Sequence, residues 1–298
     1  MEPKRSDYNK ALKFELHYII NFNIFVIQNE PLLRNFLTSL LLVTLVHTAV
    51  SAQHFTHDIG FHAGTATMQT DYGIRNDFLS SYGNSAISIS FTHTLHFFNK
   101  DPRWNSDHKI WSYLALRSEV NFITNANFQH YGPFTEGNTD LARQLRAMTG
   151  STSVTSIGFQ LEYYLRCLKE FIYPWSDLKW NPYVLAGLQF SSFNNDMNST
   201  LGDWRQDITV LPVKWRTPGA LDIGPGTTFA GTFGAGLRYK FSPKIDFNLQ
   251  FNWQFFFSDA VDGLQADVIE NKNTEWLLNL QFGIIYHLNF DKPLFLFK

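Results

Sequence analysis

Asp77, Ser80 and Ser81 bring a carboxylate and two hydroxyls into one short segment, two of the three groups a hydrolase combines when a base oriented by an acid activates a serine. Acting on outer-leaflet lipid, such a centre would need a histidine beside it, and no nucleophile motif surrounds these serines. His54, His57 and His62 stand close together, as do His93 and His96, but their spacing matches no fixed set of metal ligands. The run Gly231-Thr232-Phe233-Gly234-Ala235-Gly236 has the glycines of a phosphate-binding loop in the wrong order, with no helical pattern after it. These glycines read as strand positions where backbone bends or packs closely. Cys167, alone in the chain, excludes an intrachain disulfide framework and any multi-cysteine metal site, and it reads as a strand residue. No catalytic residue, cofactor or metal is expected.

Two other groups of side chains carry more weight. Arg117, Glu119, Glu162, Arg166, Arg238, Lys240 and Asp246 share a pattern position that faces away from the apolar residues around them, and both signs of charge are represented. Trp204, Trp215 and Arg216 fall in a long polar connection, where aromatic and guanidinium groups suit either contact with a partner or a headgroup-level belt.

The elements that hold these residues are strands. Trp276, Leu278, Leu280, Phe282, Ile284, Tyr286, Leu288 and Phe290 alternate with Asn279, Gln281, Gly283, His287 and Asn289, the period-two signature of a two-faced strand. Ile245 to Phe257 repeats it against Asp246, Asn248, Gln250, Asn252 and Gln254, and Phe229 to Phe241 forms a third such segment, joined to the second by Ser242-Pro243-Lys244. Five weaker segments precede these, around Ile59–Ala63, Ile87–Phe97, Leu114–Phe122, Ile157–Leu165 and Val184–Phe190. Connections near 69–84, 125–152, 194–227 and 259–273 are long, and those near 99–110, 168–180 and 242–244 are shorter. Alternating long and short connections characterise outer-membrane barrels, whereas a soluble β-sandwich has no reason to sort them. The pattern predicts an all-β, eight-stranded antiparallel transmembrane β-barrel, an up-and-down meander with long extracellular loops. At this strand number side chains fill the interior, so the charges on the inner face must pair with one another.

Composition agrees. Across 298 residues aromatics reach 16%, with 29 Phe, and charged residues only 17%. Mean hydropathy is nevertheless -0.17, too low for a helical membrane protein but natural where lipid-facing and lumen-facing residues alternate. A formal net charge of -2 gives no reason to expect nucleic acid as a partner. Arg34 to Ala52 reads as a cleavable signal peptide, with a positive charge, an apolar stretch and small residues before a cut ahead of Gln53. Residues 1–33 then read as a leader upstream of the true start, with initiation near Leu32 or Leu33. The barrel would occupy 53–290, followed by a tail, 291–298. The aromatic segments Pro102-Arg103-Trp104-Asn105 and Tyr173 to Pro182 suit the inner lipid surface or a periplasmic partner.

Met68-Gln69-Thr70-Asp71-Tyr72-Gly73, Asp77 to Asn84, Gln144 to Ser151 and Lys179-Trp180-Asn181-Pro182-Tyr183 resemble segments of an uncharacterised family of outer-membrane β-barrel proteins from Flavobacteria and other Bacteroidetes. The resemblance spans the mature chain and implies fold and location in a Gram-negative outer membrane, with no chemistry attached. The function expected is that of a non-enzymatic barrel in contact with outer-membrane lipid, whose loops bind another outer-membrane or periplasmic protein in a secretion, gliding or uptake complex. A lipid hydrolase and a narrow solute channel are the alternatives.

Overall fold

A computed structural model describes residues 55–73, 82–99, 110–173, 176–266 and 275–288. The segments expected to be leader, signal peptide and tail, together with His54, the segment 102–105 and the group Asp77, Ser80 and Ser81, lie outside the described residues.

Eight strands follow in chain order: β1 (Phe55–Gln69), β2 (Ser85–Asn99), β3 (Leu114–Gln129), β4 (Met148–Tyr164), β5 (Trp180–Ser199), β6 (Pro225–Lys240), β7 (Ile245–Phe256) and β8 (Trp276–Leu288). Each pairs antiparallel with the next, and β8 returns to β1, closing the barrel. In the middle of β1, Phe61 stands opposite Phe91 of β2 and Ile284 of β8. Closure leaves no strand edge, so every strand has backbone partners on both sides, the condition for crossing lipid.

The residues expected on the outer face point outward. Ile59, Phe61, Phe91, Phe159, Leu188, Phe229, Leu249, Phe282 and Ile284 are all exposed. In water such a band would be unstable, whereas in a bilayer it is the required surface. Aromatic pairs border the band, with Trp180 on Tyr239 at 4.4 Å towards one end and Trp253 on Trp276 at 5.0 Å towards the other. Among the described residues no helix is long and apolar enough to cross a membrane.

Three strands continue past the band, and there the two faces exchange character. On the outside Thr149, Ser151, Ser153 and Thr155 of β4 face Asn198, Asp196, Asn194 and Ser192 of β5. On the inside Met148, Val154, Phe193 and Met197 are buried. Strand β3 joins this extension through a register shift between Ile123 and Ala126, which moves the inward position from odd to even numbers and turns Ala126 and Phe128 inward. The barrel is apolar outside and polar inside within the band, and polar outside and apolar inside above it. Because of this extension, β3, β4 and β5 run longer than the sequence pattern predicts, and the connections shrink to 130–147 and 200–224.

Two short α-helices flank β4 among the described residues. Helix α1 (Asp140–Ala147) precedes β4, with its N-terminus capped by Thr139 Oγ1, which accepts the Ala142 N–H. Helix α2 (Leu168–Ile172) lies between β4 and β5. Its buried Leu168, Phe171 and Ile172 pack against inward-facing Ala115, Tyr164, Tyr183 and Leu185, stopping that end of the barrel with an apolar plug. Cys167 is therefore a buried turn residue ahead of α2 and not a strand residue, because β4 ends at Tyr164.

Candidate functional site

Above the α2 plug the lumen is filled by one connected charge network. Arg117 donates to Glu162 at 3.1 Å and to Glu119 at 3.0 Å, and Gln160 donates to the same Glu119 oxygen at 2.6 Å. The Tyr164 hydroxyl donates to Glu162 and accepts from Arg238. Arg238 reaches both Asp58 and Asp246 at 2.8 Å. His287 bridges the same two carboxylates, with Nδ1 2.7 Å from Asp58 and Nε2 3.0 Å from Asp246, and His96 meets Asp58 at 2.7 Å. With a carboxylate oxygen against each ring nitrogen, His287 satisfies both contacts only as an imidazolium. Lys240 donates to the Tyr173 carbonyl at 2.8 Å, tying the charged layer to the segment after α2.

The pairing predicted for Arg117, Glu119, Glu162, Arg238 and Asp246 is present, and Asp58, His96 and His287 join it. Arg166 does not. It follows the end of β4, its side chain is exposed, and among the described residues its guanidinium reaches only the Trp180 carbonyl, at 3.5 Å. The period-two count carried one residue pair too far there, because the chain leaves the wall at Leu165. A neutral layer follows: Gln250 donates to Gln281, Gln281 to Ser88 and Ser88 to Asn121, while Gln254 donates to Ser156 and Ser191. Gly236 makes room for the Tyr183 ring, since a Cβ there would stand 2.3 Å from it. The histidines divide: His57 and His93 face outward 3.1 Å apart, and His62 and His96 face the lumen.

The other end is closed by a folded cap. Leu211, Trp215, Ala220, Val261 and Leu264 from two connections pack onto inward-facing Met68, Phe128, Met148, Met197 and Phe256. Trp215 is thereby buried at 2% exposure, which takes it out of any lipid-facing belt. Trp204 donates to the Met197 carbonyl, and Arg216 donates to the carbonyls of Leu211 and Thr209. All three residues brace the connection they were expected to offer outward. Gln144 of α1 donates to Thr209, and Asn195 donates to Ala260 while accepting from Gly224, so the connections brace one another.

Between these braces lies a cleft of about 500 Å³, lined by Asp71, Gly73, His130, Tyr131, Phe134, Thr135, Leu141, Leu145, Pro212, Lys214 and Trp215. Leu141 and Leu145, four apart on α1, share a helical face. Gly73, at a φ of 93° that favours glycine, donates to His130 Nδ1 at 3.2 Å. Burial pushes the His130 imidazole down to about 4, with Lys214 adding to the effect. Beneath the cap sits a buried acid pair. The Asp262 carboxylate accepts the N–H groups of Asp71 and Leu264, and Glu275 accepts that of Asp262. Burial pushes Asp262 up to about 7, and burial together with the Asp262 charge holds Glu275 well above the usual range. None of the cleft residues except Trp215 stands out in the sequence as a candidate contact, because they come from four separated segments with no shared period.

A closed meander of eight antiparallel strands, apolar where it meets lipid and stopped by side chains within, is a transmembrane β-barrel of the outer-membrane class. No family model matches the chain, and no curated relative does. Among solved structures it is similar to a major outer membrane protein from Thermus thermophilus, at 11% identity and a TM-score of 0.42, over 79% of this chain and 100% of that one. It is also similar to Ail, the attachment invasion locus protein of Yersinia pestis, at 10% identity and 0.39, over 79% and 100%, and to the outer membrane enzyme PagL, at 11% and 0.31, over 78% and 98%.

Proposed function

We propose that this protein is a non-enzymatic barrel of a Gram-negative outer membrane, in a bacterium of the Bacteroidetes, whose cap binds a partner protein as an accessory of a secretion, gliding or uptake complex. The observation that carries this reading is the braced cap itself, which holds an open cleft of about 500 Å³ beside apolar side chains that face water. Phe134 is 69% and Val213 71% exposed, and both stand on the capping connections, away from the lipid band. Exposed apolar groups around a preformed concavity on a rigid support are the usual composition of a binding surface.

The test is a mild-detergent pull-down of the tagged protein from its native outer membrane, beside a Phe134→Asp/Leu141→Asp variant whose barrel assembly is checked by the mobility of unboiled protein on a gel. The expected result is a stoichiometric partner held by the parent and lost by the variant. Recovery of the parent alone, or of the same partner with both proteins, would overturn the proposal.

A further inference from the structure

The cleft contains two hydrogen-bond donors that the folded chain leaves unused. Lys214 lies 4.4 Å over the Trp215 ring, and among the described residues no carboxylate pairs with its ammonium. His130 takes the Gly73 N–H at Nδ1, which puts its own hydrogen on Nε2. That Nε2 is buried and has no hydrogen-bond partner among the described residues. An unmet buried donor costs stability, so it is a feature to be explained by what occupies the site.

Much of the remaining lining is apolar, with Phe134, Leu141, Leu145 and Pro212 on its walls beside the polar Tyr131 and Thr135. The volume suits a small ligand or the last residues of a chain. Asp71 lines the same cleft, and the acid pair Asp262 and Glu275 lies next to it, with Asp262 accepting the Asp71 N–H. Asp71 adds an acidic group to the lining, which disfavours a polyanion such as a sulfated or phosphorylated glycan over a ligand with a single anionic group at Lys214.

We propose that the cleft binds the carboxylate of an apolar-bodied acid, with Lys214 and the His130 Nε2–H meeting the carboxylate and the α1 leucines and Phe134 covering the body. The proposal rests on the partner-binding reading above and names the chemistry that docks. One chemistry has two sources here, the free C-terminus of an apolar chain end or a small free acid. At neutral pH His130 is uncharged and donates as a neutral imidazole, so the charge comes from Lys214 alone.

Calorimetric titration of the full-length barrel in a nonionic detergent at pH 7 tests this, using 3-phenylpropionate and N-acetyl-Leu-Phe with a free carboxylate, each beside its primary amide. Lys214→Met removes the charge from a partly exposed position without touching the barrel wall. In the parent each acid that binds should do so at least about tenfold more tightly than its amide, and that advantage should vanish in Lys214→Met. An advantage confined to the dipeptide marks a chain end as the source, and one confined to 3-phenylpropionate marks a small acid. Equal binding of acid and amide, or an acid advantage that survives in Lys214→Met, overturns carboxylate recognition. Failure of every probe to bind, with a partner still captured through Phe134 and Leu141, overturns this inference and leaves the partner reading standing. The expected acid advantage with no partner captured overturns that reading and supports the inference with the small acid as ligand.

Discussion

Glu275 and Asp262 make the cap sensitive to alkali. A carboxyl whose folded pKa lies above its unfolded value favours the packed state while it is protonated. For Asp262 that contribution is complete below about pH 4, the ordinary aspartate range, and is lost as pH rises through about 7, with Glu275 acting in the same direction. His130 has the opposite sign: pushed down to about 4, it favours the packed cap above its ordinary 6.5 and loses that contribution as pH falls towards 4. Protection of the connection 257–266 against hydrogen exchange, taken relative to the base-catalysed intrinsic rate at each pH, should therefore be lower at pH 8.5 than at pH 6. In Glu275→Gln, which keeps an acceptor for the Asp262 N–H and offers a neutral donor to its carboxylate, the difference should shrink to the part that burial of Asp262 supplies. An unchanged difference in the variant would show that the acid pair does not control the cap.

At the scale of elements, α2 is the plug and Phe171 its centre, fully buried against the inner wall and 5.2 Å below the Lys240 ammonium. Phe171→Ala removes apolar contact worth roughly 3–5 kcal/mol when a core phenylalanine is truncated, and enough of that loss is local to let the helix leave its seat. Cys167, buried beside α2, reports the change. Its maleimide labelling in the unboiled barrel should rise by about tenfold or more over the parent, and an unchanged rate would mean that the plug is held by other contacts. The strands themselves were legible because lipid imposes one simple rule, apolar outward, and Phe247 to Phe255 or Leu280 to Tyr286 obey it without interruption. Legibility ended where the rule inverts. Val154, Phe193 and Met197 face inward above the band, and a reading that seeks apolar residues outside takes their neighbours Ser153 and Asn194 for loop. The register shift after Ile123 hid Phe128 in the same way, by changing the parity of the inner face. Lys214 and His130 were invisible for a different reason: what makes them a site is proximity across the fold, which no local pattern records.

For the molecule as a whole, the interior is a stack of four layers: the α2 plug, the charge network, the amide and hydroxyl layer, and the apolar underside of the cap. Each obstructs passage by a different means, since apolar contacts exclude water and the charges of the network are engaged with one another. Purified protein in a planar bilayer should show no discrete conductance steps above leak. Reproducible steps would mean that the plug and cap open together and would restore the narrow channel as a function. The outer surface is equally divided, with an apolar band for lipid and a polar sheet of β3, β4 and β5 standing above it, so the place where the faces exchange character marks the depth to which the barrel sinks.

The seam between β1 and β8 bears on how the protein is made. Asp58 finds His287 across 229 residues and Arg238 across 180, so the lumen network is assembled from chain segments that are far apart during synthesis. Contacts of such separation form late and slowly, because the intervening chain must first be ordered. Until the seam closes, Arg238 and Asp58 are charges without each other at the threshold of a bilayer, and β1 and β8 are open edges able to pair with other chains. Correct closure thus depends on the last strand reaching the first before either edge has paired elsewhere, so the order in which segments meet matters as much as the contacts they finally make.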